Sequence, residues 1–155
     1  NDIKIEKLSE IFNKIIKKKF DNRISFIPIY TNMYYAGPRE AIHHTKIREK
    51  LGFSYFSVGR DHAGAENKYN PNKATQTIQT LKKKFKIKII THKGSYYCLK
   101  CQKAVIKDLC KHKSKFLLDI SGNSFRKSIL NGEKFKYADK KMQKYLIQKK
   151  KEIFN

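Results

Sequence analysis

Strand-like runs of β-branched and aromatic residues alternate with amphipathic helical segments along all 155 residues, which predicts an α/β chain built on a parallel sheet. Three observations carry that expectation. Segments 24–30, 53–58, 87–91 and 116–120 are short runs rich in strand formers. Helical periodicity fills the stretches between them. Glycine-containing turns follow two of the strands directly, at Gly59 and Gly122, and in parallel sheets ligands bind beyond the carboxyl ends of strands.

The elements follow in order. Leu8, Ile11, Phe12, Ile15 and Phe20 recur at three- and four-residue intervals and predict a first helix with lysines on its wet face. Segment 24–30 (ISFIPIY) reads as a strand in which Pro28, having no N–H, marks the end or a sheet edge. Gly37-Pro38 punctuates the chain, and 39–51 reads as a helix closed by Gly52. A strand over 53–58 leads into a loop over 59–71 rich in glycine, asparagine and charge. Ala74, Ile78, Leu81 and Phe85 mark another helix, and 87–91 a further strand. After a cysteine-bearing segment, 116–120 reads as a strand, and Ser121-Gly122 turns the chain into a helix over about 124–130 that Gly132 breaks. A last helix carries Ala138, Met142, Tyr145 and Leu146 on one face, and 149–155 is expected to fray. No internal repeat and no flexible linker divides the chain.

The formal net charge is +23, which favours anionic partners and opposes self-association. Of the 36 basic residues 31 are lysine, whereas nucleic-acid readers also draw on the bidentate arginine fork. A solvated lysine surface is the simpler reading, and nucleic acid is disfavoured as a partner. A homo-oligomer stays open. No apolar run approaches the roughly 20 residues of a membrane span, and the opening segment lacks a secretory cleavage site. The three cysteines are an odd number clustered between positions 98 and 110, which suits a reducing, cytoplasmic setting better than a secreted disulfide framework.

Three segments have the residue types for chemistry. Gly59-Arg60-Asp61-His62-Ala63-Gly64 follows a strand. Its glycines let backbone N–H groups approach a ligand, Arg60 offers a fork to phosphate or sulfate, and Asp61 can orient Arg60 or His62 or accept a ribose hydroxyl. The plain alternative is a turn holding an Arg60–Asp61 ion pair. Ser121-Gly122-Asn123-Ser124-Phe125-Arg126 opens a helix, whose unpaired N–H groups, together with Ser121 and Arg126, could meet a phosphate. The alternative is a simple N-cap. Cys98, Cys101, Cys110 and His112 could fill a closed tetrahedral zinc site, with His92 as the alternative fourth ligand. A redox CxxC or three free thiols are the rival readings. His43 and His44 read as packed core or interface histidines, and one tyrosine of each pair, Tyr34-Tyr35 and Tyr96-Tyr97, as core.

Taken together, these segments resemble the bacterial-type ATP sulfurylase (sulfate adenylyltransferase) family. Segment 32–42 (NMYYAGPREAI) resembles that family's AGPREA motif, 59–64 its GRDHAG loop, and Ile120-Ser121-Gly122 with Arg126 its ISGTxxR element, followed by the GE at Gly132-Glu133. The cysteine cluster resembles the family's zinc-binding insertion, here at about 96–115. The resemblance implies a Rossmann-like parallel sheet of the nucleotidyltransferase superfamily as a partial domain with a small zinc-knuckle insertion. It implies conversion of ATP and sulfate to adenylyl sulfate and diphosphate, with Mg2+ on the nucleotide and structural Zn2+. On that pattern Arg60 and His62 are catalytic, and Gly59, Arg60, Asp61, His62, Ser121 and Arg126 contact ATP. The backbone N–H of Ala63 holds sulfate, and Cys98, Cys101, Cys110 and His112 bind zinc. Asn123 stands where the family has threonine. The family's upstream QxRNP and HxxH motifs do not occur in the sequence. Residues 1–155 therefore read as the C-terminal part of the catalytic domain, with the N-terminal half of the same enzyme as partner. The rival functions are a zinc-stabilised, lysine-rich nucleic-acid-binding module and a degenerate, non-catalytic family member.

Overall fold

Two units make up the chain in the computed structural model, which describes residues 3–64 and 68–154; part of the expected 59–71 loop, at 65–67, lies outside the described residues. In chain order the elements are α1 (Ile5–Ile11), which continues through a π-helical turn (Phe12–Ile16) into α2 (Lys17–Lys19), then α3 (Pro38–Lys50), β1 (Tyr55–Val58), α4 (Lys73–Leu81) and β2 (Lys88–Thr91). These are followed by β3 (Ser95–Cys98), β4 (Lys103–Ile106), β5 (Leu117–Asp119), α5 (Gly122–Leu130), α6 (Lys140–Gln148) and α7 (Lys150–Ile153).

The first unit, Asn1–Thr31 with Ile120–Asn155, is helical. The periodic apolar faces of α1, α5 and α6 meet in a core of Ile11, Ile129 and Leu146, with Ile153 and Phe154 closing it. Contrary to the expectation of fraying, the described part of the terminal segment, 149–154, is packed and bonded, while residue 155 lies outside the described residues. Ile153 is fully buried, its carbonyl accepts from Lys4 N at 2.9 Å, and Phe154 bridges to Ile3. Asp139 caps α6 by accepting from Met142 N at 3.0 Å. Buried Gln143 accepts from Phe135 N at 2.6 Å and donates to the Ala138 carbonyl at 2.9 Å. Segment 24–30 forms no ladder among the described residues, contrary to the strand expectation. Pro28 removes a donor, Ile27 and Tyr30 stand exposed, and Phe26 packs against Phe12, with centroids 5.2 Å apart.

In the second unit, Asn32–Asp119, β1 and β2 pair in parallel from Tyr55↔Lys88 to Val58↔Thr91, with α4 as the crossover. Ala41 of α3, Val58 of β1, and Ala74 and Ile78 of α4 bury their side chains together. The expected parallel sheet thus holds for one strand pair. β3, β4 and β5 form a separate antiparallel sheet in the order β4-β3-β5. Strand-like composition at 116–120 cannot specify direction. The chain doubles back through the cysteine segment, so β5 returns alongside β3 antiparallel to it (Cys98↔Leu117).

Three stability results are expected. Ile129→Ala should cost about 2–5 kcal/mol and Asp139→Ala about 1 kcal/mol in urea unfolding. Glu10 is held down to about 2 by Lys14, Tyr145 and Lys7. Its contribution is therefore complete above its ordinary value of 4.5 and is lost as pH falls through about 2. Glu10→Gln should narrow the difference between the unfolding midpoints measured above and below that window.

Candidate functional site

Buried Val58 ends β1, and the chain turns at once into the Gly59–Gly64 segment. Asp61 and Ala63 both adopt left-handed backbone conformations, with φ of 55° and 52°. Such conformations are unfavourable for residues bearing a Cβ, so surrounding bonds must hold them. Asp61 N donates to the Pro71 carbonyl at 2.7 Å, and Gly37 N donates to the Ala63 carbonyl at 2.9 Å. The second bond ties the loop to the start of α3. Gly37 itself has φ +53, and a Cβ there would lie 2.8 Å from the Tyr69 ring. At Gly59 a Cβ would come within 2.7 Å of His92 Cε1. Both positions need glycine for close approach.

Arg60 does not pair with Asp61. Its Nη2 donates to both carboxylate oxygens of Asp119, at 2.9 and 3.2 Å, and its guanidinium carbon lies 5.4 Å from the Tyr96 ring centroid. The Asp119 carboxylate raises the pKa of Arg60 further. Arg60 also lines an open cleft of about 910 Å³ with Thr75, Gln79, His92, Lys93 and Lys107. The cleft sits where β1 and β2 end, the place at which α/β sheets receive ligands.

His62 points its Nε2 at Nδ1 of His44, 3.1 Å away, and packs edge-on against Phe56. His44 is buried on α3, with Nε2 3.6 Å from Oε1 of Glu40. Burial lowers the pKa of both histidines, and the Arg48 charge adds to it. The packed-histidine expectation therefore fits His44, but sequence reasoning missed its contact with His62. The four-residue spacing of Glu40 and His44 was the available signal. Asp119 gave none, because its partner is 59 residues away.

Ser121 and Arg126 belong to the first unit, and the 59–64 loop to the second. Ser121 is a true N-cap: its Oγ accepts from Ser124 N at 3.1 Å and donates to Ser124 Oγ at 2.8 Å. A Cβ at Gly122 would lie 3.2 Å from Nη1 of Arg126, so this side chain folds back over the first turn of α5.

Cys98, Cys101, Cys110 and His112 converge, with their ligand atoms all within 4.8 Å of one another. Cys98 closes β3, Cys101 lies in the turn to β4, and the other two follow β4. His112 Nδ1 stands 3.4, 3.3 and 3.7 Å from the three sulfurs in that order. Bonds of about 2.3 Å to sulfur and 2.0–2.1 Å to nitrogen at tetrahedral angles require S···N separations of about 3.5 Å, so the arrangement fits zinc. Cys98 and Cys101 titrate together: burial opposes ionisation of Cys98, but the Cys101 and Lys100 amides and the neighbouring thiols bring it down to about 6, while the Cys98 hydrogen bond and burial push Cys101 up to about 11. All three cysteines are free. His92, the alternative ligand, accepts instead from Gly94 N at 3.3 Å.

A family model described as ATP-sulfurylase matches residues 1–145. The sulfate adenylyltransferase of Carboxydothermus hydrogenoformans is 35% identical over 133 residues, which is 85% of this chain and 34% of the relative. The corresponding protein of Hyperthermus butylicus is 34% identical over 86% of this chain and 34% of the relative, and that of Pyrococcus abyssi 41% identical over 66% and 27%. The chain thus spans about a third of the length of the first two of these relatives. With AGPREA and GRDHAG joined by the Gly37–Ala63 hydrogen bond and the family model covering nearly the whole sequence, the chain belongs to the ATP-sulfurylase family.

Proposed function

We infer that the chain supplies the GRDHAG nucleotide loop and a zinc knuckle to a sulfate adenylyltransferase, which converts ATP and sulfate to adenylyl sulfate and diphosphate. The observation that carries this is the 59–64 loop itself. It leaves the end of β1, holds two non-glycine residues in left-handed geometry and is bonded to Gly37 of the second family motif. The parallel β1-α4-β2 unit supports a Rossmann-like nucleotidyltransferase fold, of which residues 1–155 would be the C-terminal part of the catalytic domain, with the knuckle inserted at about 96–115.

In the reaction a sulfate oxygen attacks the α-phosphorus, a P–O bond to the leaving diphosphate breaks, and no protein nucleophile takes part. Catalysis then rests on holding two anions in line and neutralising charge as it develops. Arg60 and His62 are the groups proposed to meet that charge, with Gly59 and Asp61 beside them on the nucleotide. The Ala63 carbonyl is occupied by Gly37, and its N–H is the proposed sulfate donor. Ser121 and the N-terminal turn of α5, with Arg126, would receive a phosphate. Mg2+ would arrive with ATP and offset its charge. Cys98, Cys101, Cys110 and His112 would hold Zn2+ in a closed, structural site. Full turnover is proposed for the chain together with the segment carrying QxRNP and HxxH, which supplies further cations. No described helix is long and apolar enough to cross a membrane. Free, clustered cysteines support a cytoplasmic setting.

Arg60→Ala should weaken binding of ATP or adenylyl sulfate by about 10- to 100-fold, the effect of losing one charged hydrogen-bonding group. Unchanged nucleotide binding in that variant, together with RNA binding abolished by Lys→Glu changes, would replace this reading with the nucleic-acid-binding one. Metal analysis should return about one zinc per chain, and Cys98→Ser should release it and lower thermal stability. A metal-free chain as stable as its Cys98→Ser variant would remove zinc from the account.

A further inference from the structure

Among the described residues, Nε2 of His44 is the buried side-chain nitrogen that lacks a hydrogen-bond partner. It stands 3.6 Å from Oε1 of Glu40, while the other ring nitrogen, Nδ1, lies 3.1 Å from His62 Nε2. Glu40 is itself buried, and its two oxygens accept from Tyr34 N at 3.1 Å and Ala36 N at 2.9 Å. These amides outweigh the burial that opposes ionisation and keep the carboxyl below its ordinary range, so it is an anion near neutral pH. A line of carboxylate, imidazole and imidazole thus runs from the start of α3 into the 59–64 loop.

The charge at one end orders the protons along it. A lone pair on His44 Nε2 would face the carboxylate directly in a weakly screened interior, so that nitrogen carries its hydrogen toward Glu40. His44 Nδ1 is then bare and accepts from the N–H of His62 Nε2. Nδ1 of a neutral His62 is left as an acceptor, which an incoming polyphosphate oxygen would repel. One proton taken from solvent onto that nitrogen makes His62 a cation with two donors, one committed to His44 and one free for the anion. Arg48 and burial oppose this charge in the free protein, His43 lies beside His44, and Glu40 is the negative group facing the pair.

We propose that Glu40 and His44 are positioning residues that fix the tautomer of His62 and support its protonation at Nδ1 when a polyphosphate anion arrives. The second half of this proposal rests on the nucleotide reading of the loop; the first half does not.

The test is nitrogen-resolved NMR titration of the histidines in the full chain, with and without Mg-ATP. Near neutral pH, His62 should show hydrogen on Nε2 and a bare Nδ1. Glu40→Gln removes the charge and should lower the His62 titration midpoint by about one pH unit. His44→Asn, whose side-chain oxygen can take the acceptor place of Nδ1, should keep the His62 tautomer while lowering its midpoint similarly. It serves as a second arm if Glu40→Gln fails to fold. Addition of Mg-ATP should protonate His62 and give a binding heat that varies with buffer ionisation. A His62 midpoint unchanged in both variants, hydrogen on Nδ1 instead of Nε2 of neutral His62 in the parent chain, or ATP binding without proton uptake would overturn the proposal. If ATP does not bind while both titrations behave as expected, the Glu40–His44–His62 line stands and the nucleotide reading of the loop falls.

Discussion

The hydrogen bond from Gly37 N to the Ala63 carbonyl is the constraint on which the site depends. It joins two segments that are 26 positions apart in sequence and holds Ala63 in a backbone region that alanine disfavours. With it in place, α3 begins beside the loop, and Glu40 and His44 come to lie within reach of His62. The bonds that hold the arrangement are mostly made to backbone groups. Asp61 N is fixed by Pro71, Ala63 O by Gly37, and the Glu40 oxygens by two further amides.

The antiparallel sheet plays a related part on the other side of the loop. β3 contributes Tyr96 beneath the Arg60 guanidinium, and β5 ends at Asp119, which receives its two hydrogen bonds. β3 also ends in Cys98, and the segment between β4 and β5 supplies Cys110 and His112. One small sheet therefore carries both the cysteine cluster and the two groups that orient Arg60.

A chain of net charge +23 has few carboxylates, and the structure places several of them at particular tasks. Glu10 joins Lys7, Lys14 and the Tyr145 hydroxyl, and Asp139 caps α6 while pairing with Lys19. Asp108 accepts from Lys93 N, and Asp119 holds Arg60. Exposed ion pairs contribute little each, but carboxylates that also accept backbone N–H groups or cap helices do more, since they satisfy donors that would otherwise lack a partner.

The sequence by itself determined the helices, three of the four expected strands and the contents of the site motifs, because each depends on local periodicity, turn chemistry and residue type. The cysteine spacing alone allowed either His112 or His92 as a fourth ligand, and the fold brings His112 to the sulfurs. Segment 24–30 had strand composition but, among the described residues, no neighbouring strand to complete its backbone hydrogen bonds, and a ladder exists only in pairs. The direction of β5, the partner of Arg60 and the contact between His44 and His62 were likewise decided by tertiary structure. Each is a meeting of residues distant along the chain, and no local pattern records which distant group the folded backbone will bring within hydrogen-bonding distance.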